Sequence, residues 1–144
     1  MSPSANTAHA ETIGALYRAF ETGDIPFILD QLADDVSWDA DWLANTAQAA
    51  GVPQLQPRRG PHAVADFFAL LSEWKFQEFT VRDVIGSTGQ VAAEIELDVI
   101  LPNGNRIVDQ NVHLWSFDDA GKVSRLRTYG DTAKLIAAHT GGTP

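Results

Sequence analysis

Val91-Ala-Ala-Glu-Ile-Glu-Leu-Asp-Val-Ile-Leu101, then Pro102-Asn-Gly-Asn105, then Ile107-Val-Asp-Gln-Asn-Val-His-Leu-Trp-Ser-Phe117 is the stretch that decides the fold. In its first part Val91, Ala93, Ile95, Leu97 and Val99 alternate with Glu94, Glu96 and Asp98, the period of a strand with two unlike faces. Pro102-Asn-Gly-Asn105 is a strong hairpin signal, and Ile107 to Phe117 returns antiparallel. A tight four-residue turn pairs Leu101 with Arg106. Asp98 then meets Asp109, Glu96 meets Asn111, and Glu94 meets His113. In that register one face carries Glu94, Glu96, Asp98, Asp109, Asn111, His113, Trp115 and Phe117. The other carries Ala93, Ile95, Leu97, Val99, Val108, Val112 and Leu114, and period alone turns this apolar face to the core.

Outward from the hairpin, Phe76 to Ile85 reads as the strand before it. Asp118-Asp-Ala-Gly121 turns the chain, Val123 to Tyr129 is the last strand, and Asp131-Thr132 caps a short helix ending near His139. Upstream the period is helical. Ile13, Leu16, Tyr17 and Phe20 form one stripe, and Gly23 stops that helix. Asp24 caps a short helix from Pro26 to about Ala33, and a strand spans Val36 to Trp42. Leu43 to Gly60 holds two prolines and two glycines and reads as a long irregular loop. A third helix, Pro61 to Ser72, carries Val64, Phe67, Phe68 and Leu71 on one side. Helices followed by meandering strands predict an α+β fold, helices packed on the concave face of a strongly bent antiparallel sheet. The whole chain, 1–144, is one domain with an ordered core of about 8–139; the first few residues and Thr140 to Pro144 read as loose ends.

Composition narrows the function. The formal net charge is −9 and Arg58-Arg59 is the only adjacent basic pair, so nucleic acid is not expected as a partner. Cysteine is absent, which removes disulfides, thiolate catalysis and Cys-based metal sites. No apolar run approaches the ~20 residues that span a bilayer, and the N-terminus lacks a basic start and an apolar core, so a cytoplasmic protein is expected. His113 and His62 lack paired metal-ligand spacing, and no Gly-rich phosphate loop or nucleophile elbow occurs, so neither metal nor cofactor is expected.

His113-Leu-Trp-Ser-Phe-Asp-Asp-Ala-Gly-Lys-Val-Ser-Arg-Leu-Arg-Thr-Tyr-Gly-Asp-Thr-Ala133 resembles the C-terminal signature of SnoaL-like proteins, a family of the nuclear transport factor two-like superfamily. Tyr17 to Ile25, Leu32 to Trp38 and Arg59 to Phe68 resemble the same family, in the same order. The resemblance implies a cone-shaped α+β barrel around one small-molecule pocket. It implies that the His113 face lines that pocket, against the prediction of period alone. The apolar face would then be covered by a second subunit, giving a homodimer through the sheet. The superfamily hosts isomerases, cyclases, dehydratases, epoxide hydrolases and non-catalytic binding domains, so the resemblance leaves the activity open. Against ketosteroid isomerase, Ala40 stands where the base would be, flanked by Asp39 and Asp41. Leu16 stands at the oxyanion tyrosine beside Tyr17, and His113 at the oxyanion acid. The Asp-Arg-Asp set of the epoxide hydrolases would end on Thr128, and no Arg occupies the Val91 to Leu101 strand.

The candidate catalytic residues are therefore His113, suited to proton transfer near neutrality, and the carboxylates Glu94, Glu96 and Asp98 that the register sets beside it. Tyr17, Trp38, Trp42, Phe68, Asn111, Trp115 and Thr128 are the candidate ligand contacts. The expected partner is a small apolar or oxygenated molecule. The expected activity is cofactor-independent acid–base chemistry of the isomerase, cyclase or dehydratase type. A non-catalytic ligand-binding or association domain is the alternative, and an epoxide hydrolase-like activity a third.

Overall fold

The computed structural model describes residues 4–140; the loose ends expected at 1–3 and 141–144 lie outside the described residues. The chain opens with α1 (Ser4–Thr22) and α2 (Ile25–Asp30). Gly23 sits between them at φ 76, a left-handed position that costs glycine little. Asp24 caps α2 by accepting from Phe27 N at 3.2 Å. β1 follows at Leu32–Trp38. The expected helix end at Ala33 and the expected strand start at Val36 both fall inside it, because α2 ends after a turn and a half.

The predicted Leu43–Gly60 loop is ordered by short elements: α3 (Thr46–Ala49), a 3₁₀ turn (Pro53–Leu55) and β2 (Arg58–Arg59). Its apolar residues are buried, Ala47, Val52 and Leu55 among them. Side-chain amides tie it down. Gln48 Nε2 donates to Asp39 O at 2.6 Å and Leu55 O at 2.7 Å, and Gln56 Nε2 donates to Gln48 O and Val52 O. These bonds pair several of the segment's backbone groups, and it packs as a wall of the domain.

Then come α4 (Gly60–Leu71), the long strands β3 (Lys75–Ser87), β4 (Gln90–Ile100) and β5 (Arg106–Phe117), then β6 (Val123–Tyr129) and α5 (Thr132–His139). The six strands form one open sheet in the order β2-β1-β6-β5-β4-β3; β1 runs parallel to β6, and the rest is antiparallel. Register shifts interrupt β3 after Phe76 and Val81 and the β5–β6 ladder after Ser116; such irregularities bend strands. The fold is the expected α+β arrangement of helices against a mostly antiparallel sheet.

The central hairpin corrects the predicted register. Leu101 N donates to Asn105 O at 2.8 Å, so the connection spans five residues and Ile100, not Leu101, pairs with Arg106. Leu97 then meets Asp109, Ile95 meets Asn111, and Ala93 meets His113. A one-residue slip exchanges the face of every side chain on one strand relative to its partner. Ala93, Ile95, Leu97 and Val99 therefore share the inner face with Asp109, Asn111, His113 and Trp115. The β4 half of the face assigned to a subunit contact thus lies inside the domain, and its β5 half, Val108, Val112 and Leu114, stays on the outer face. Glu94, Glu96 and Asp98 are on the outer face with Val108, Gln110 and Val112.

Candidate active site

Two buried clusters make the interior. One gathers Ile13, Leu16, Trp38, Val64, Ile95 and Trp115; the other gathers Val52, Leu55, Val99, Ile107 and Leu135. Members of both line a cavity of about 120 Å³. That is below the roughly 300–1,000 Å³ of drug-sized pockets, so the cavity suits a small, compact ligand. Its wall is overwhelmingly apolar and aromatic, with Phe20, Phe67, Phe68 and Trp38 on one side. Polar side chains enter as a stripe, Asp109, Asn111 and His113 on β5, joined by Thr128 on β6 and Gln54 from the 3₁₀ turn.

His113 is the focus of that stripe. Its Nδ1 lies 2.7 Å from Tyr17 Oη, and Tyr17 Oη accepts from Trp115 Nε1 at 3.1 Å. The helical stripe of α1 delivers Tyr17 to this point, and strand alternation delivers His113 and Trp115 to one face. Burial keeps the Tyr17 hydroxyl protonated, well above its ordinary range. Burial also pushes His113 down to about 4, so the ring is neutral at pH 7. The indole N–H can only donate, and Tyr17 O–H has no other acceptor among the described residues. The satisfied arrangement is Trp115 N–H to Tyr17 O, and Tyr17 O–H to His113 Nδ1. The tautomer so assigned carries its proton on Nε2, which has no protein partner among the described residues. His113 is thus a neutral donor at the cavity wall, backed by two bonds that polarise one another.

The carboxylates expected beside it are elsewhere. Glu94 is exposed. Glu96 reaches Arg82 at 3.7 Å and Gln110 at 3.3 Å, and Asp98 forms a bidentate pair with Arg106. These contacts follow from the corrected register, and none of the three lines the cavity. Of the expected ligand contacts, Tyr17, Trp38, Phe68, Asn111, Trp115 and Thr128 line the cavity. Trp42 does not: it packs edge-on against Tyr129, lies beside Arg127, and donates from Nε1 to Asp39 at 3.1 Å. β1 ends at Trp38, and the turn after it carries Trp42 to the other side.

That turn also moves Asp39. Asp39 has φ 50, the one left-handed non-glycine among the described residues, and is only 1% exposed. It accepts from Thr128 N at 2.7 Å, Thr128 Oγ1 at 2.9 Å and Trp42 Nε1. Burial raises its carboxyl to about 6, against the pull of those bonds and of Arg58. On a strand continued past Trp38, Asp39 would point away beside Ala40; the left-handed turn buries it instead. Asp41 does point outward, to Arg127 and Arg125. Burial pushes its carboxyl up, but Arg127 and Arg125 together hold it below the usual range.

Asp109 is the residue of the stripe that had no assigned role in the sequence. It is 8% exposed and lines the cavity. The signal for it was its place two and four residues before Asn111 and His113 on one face. Two further polar atoms of cavity-lining residues are buried without partners, Trp38 Nε1 and Gln54 Oε1. Among the described residues no three His, Asp or Glu side chains come together as a metal site, and no helix is long and apolar enough to cross a membrane.

No curated protein matches the chain. Solved structures match over nearly the full length. A nuclear transport factor two-like protein of unknown function from Burkholderia pseudomallei is 23% identical, with 90% of this chain and 95% of that one covered at TM-score 0.75. A candidate polyketide cyclase of Xanthomonas campestris is 21% identical, with 93% and 98% covered at TM-score 0.67. An epoxide hydrolase of M. tuberculosis, of the LEH-like type, is 17% identical, with 95% and 92% covered at TM-score 0.67. At these identities the likeness is one of fold. The model of the SnoaL-like domain matches residues 13–126, so with the helices, the sheet and the cavity it encloses the chain belongs to the SnoaL-like family.

Proposed function

We propose that the protein is a cofactor-independent acid–base enzyme that shifts a proton next to a carbonyl group of a small, mostly apolar compound. Isomerisation, aldol-type cyclisation and dehydration of a hydroxy-ketone all begin with that step. The observation that carries the proposal is the chain Trp115–Tyr17–His113, which ends in a neutral Nε2–H at an apolar cavity. Such a donor stabilises the oxyanion that forms as the proton leaves, and water-poor surroundings strengthen it. His113 thus polarises the oxygen, rather than acting as the base expected of it.

The base in this proposal is Asp39 acting through Thr128. Thr128 is the cross-strand partner of His113 and hydrogen-bonds Asp39 through its hydroxyl. The substrate proton passes to Thr128 Oγ1 as the Thr128 proton passes to Asp39 Oδ2, and the electron pair of the broken C–H bond becomes the enolate held by His113. A carboxyl raised to about 6 suits that duty near neutrality.

The test is exchange of the methyl protons of 2-acetylnaphthalene in D₂O, followed by NMR. Wild type should exceed buffer. Asp39→Asn should lose about 100-fold or more and His113→Ala about tenfold or more. The wild-type rate should rise with pH through about 6 as Asp39 ionises, with His113 neutral throughout. Binding without any exchange above buffer would overturn the enzyme and leave the ligand-binding domain. One observation favours that second reading: Asp39 itself does not line the cavity. Epoxide opening has weaker support, since Asp109 and the Asp39–Thr128 pair lie in different rows of the sheet.

Two companions belong to the same proposal. A homodimer through the outer sheet face is supported by the exposure of Val108 (52%) and Val112 (40%). Residence in the cytoplasm stands as an expectation of the sequence.

A further inference from the structure

We infer that the cavity is built for a two-ended ligand, with a carbonyl oxygen at His113 and a hydroxyl group at Asp109, and that Asp109 determines specificity. The inference rests on the proposed role of His113 for one end and on independent observations for the other.

Asp109 lies at the edge of the apolar wall, where it also borders an outer groove with Glu96 and Lys134, and one of its oxygens is held in place. Asp109 Oδ2 accepts from Asp131 N at 3.1 Å. With the Asn111 amide oriented to satisfy its neighbours, it also accepts from Asn111 Nδ2 at 3.0 Å. The backbone makes room for this pair. A Cβ on Gly130 would fall 2.5 Å from the end of the Asn111 amide, closer than real contacts come, and 3.1 Å from Asp109 Oδ2, a tight approach. The second oxygen, Oδ1, has no hydrogen-bond partner among the described residues, and its nearest cation is Lys134 Nζ at 4.0 Å.

An ionised carboxylate only accepts, so its free oxygen selects a donor. Lys134 already supplies the nearby positive charge, which favours a neutral hydroxyl over a second cation. Asp109 and His113 stand on one face four residues apart, so their Cα atoms are about 14 Å apart along the strand. A fused two-ring ketone with a distal hydroxyl spans roughly 9 Å between oxygens, and two hydrogen bonds of about 2.8 Å complete the distance. The apolar middle of such a molecule matches the aromatic wall between the two ends. Unpartnered Gln54 Oε1 and Trp38 Nε1 leave further polar capacity on that wall.

The test measures dissociation constants by tryptophan fluorescence for 6-acetyl-2-naphthol, its methyl ether, 2-acetylnaphthalene and 6-ethyl-2-naphthol. Wild type should prefer the naphthol over the methyl ether by about tenfold or more. Asp109→Asn, whose amide oxygen can still accept from Asp131 N, should abolish that preference; an unaltered circular dichroism spectrum and urea midpoint report an intact fold. Equal binding of naphthol and ether by wild type, or a preference that survives Asp109→Asn, overturns the inference. Should Asp109→Asn fail to fold, Gln54→Ala decides: the naphthol preference should survive it, and its loss there would assign the hydroxyl to Gln54 and overturn the inference. If 6-ethyl-2-naphthol binds as tightly as the ketone while the naphthol preference holds, the His113 end falls and the Asp109 end stands.

Discussion

Asp39 bonds Thr128 on β6, the cross-strand partner of His113, and burial shifts the two titrating groups in opposite directions. Burial raises Asp39 from 3.8 to about 6, so the folded state favours its protonated form. The penalty is absent below the unfolded value and complete above about 6. Asp39→Asn removes it, since an amide can accept from Thr128 N and donate to the Thr128 hydroxyl. Relative to wild type, the variant should therefore gain stability between pH 4 and pH 7, by up to about 3 kcal/mol. Denaturation at several pH values checks this, and a variant that tracks wild type at every pH would show that Asp39 is not strained. His113 runs the other way. Its folded value of about 4 lies below the unfolded one, so its contribution is lost as pH falls from 6.5 through 4. At this scale His113, Tyr17 and Asn111 were legible, because their side-chain chemistry and spacing single them out. Asp39 was not, because a left-handed residue at a strand end has no signal of its own in an aspartate.

Within elements, periodicity was a better guide than the turn. The alternation of β4 turned Ala93, Ile95 and Leu97 inward, as the structure has it. The resemblance turned His113 inward, and that too is where it lies. The two conflicted only because a four-residue turn was assumed; one more residue in the connection reconciles them and sends Glu94, Glu96 and Asp98 outward. The segment between β1 and α4 shows the same limit. Its prolines and glycines read as irregular, yet Gln48 bridges Asp39 O and Leu55 O and makes it a wall. Gln48→Ala leaves both carbonyls short of a donor and should cost about 1–3 kcal/mol. A urea midpoint should fall with unchanged slope, and 2-acetylnaphthalene should bind more weakly, since Gln54 and Leu55 sit on the cavity. An unaltered midpoint would mean that the segment holds without its bridge.

For the whole molecule, the outer sheet face leaves Val108 and Val112 half exposed beside acidic and basic neighbours. If that face joins two copies, sedimentation gives twice the chain mass, and Val108→Glu with Val112→Glu returns a monomer. A wild-type monomer at micromolar concentration would remove the dimer. The sequence by itself determined the α+β class, the order of the main helices and strands, and part of the inner aromatic wall, Trp38, Phe68 and Trp115 but not Trp42. Those follow from hydrophobic period and from turn residues, which act over a few neighbours in the chain. Only the tertiary structure decided which carboxylates meet the cavity. Strand register, the turn at Asp39 and the room left by Gly130 depend on how distant segments pack, and a shift of one residue there changes every partner.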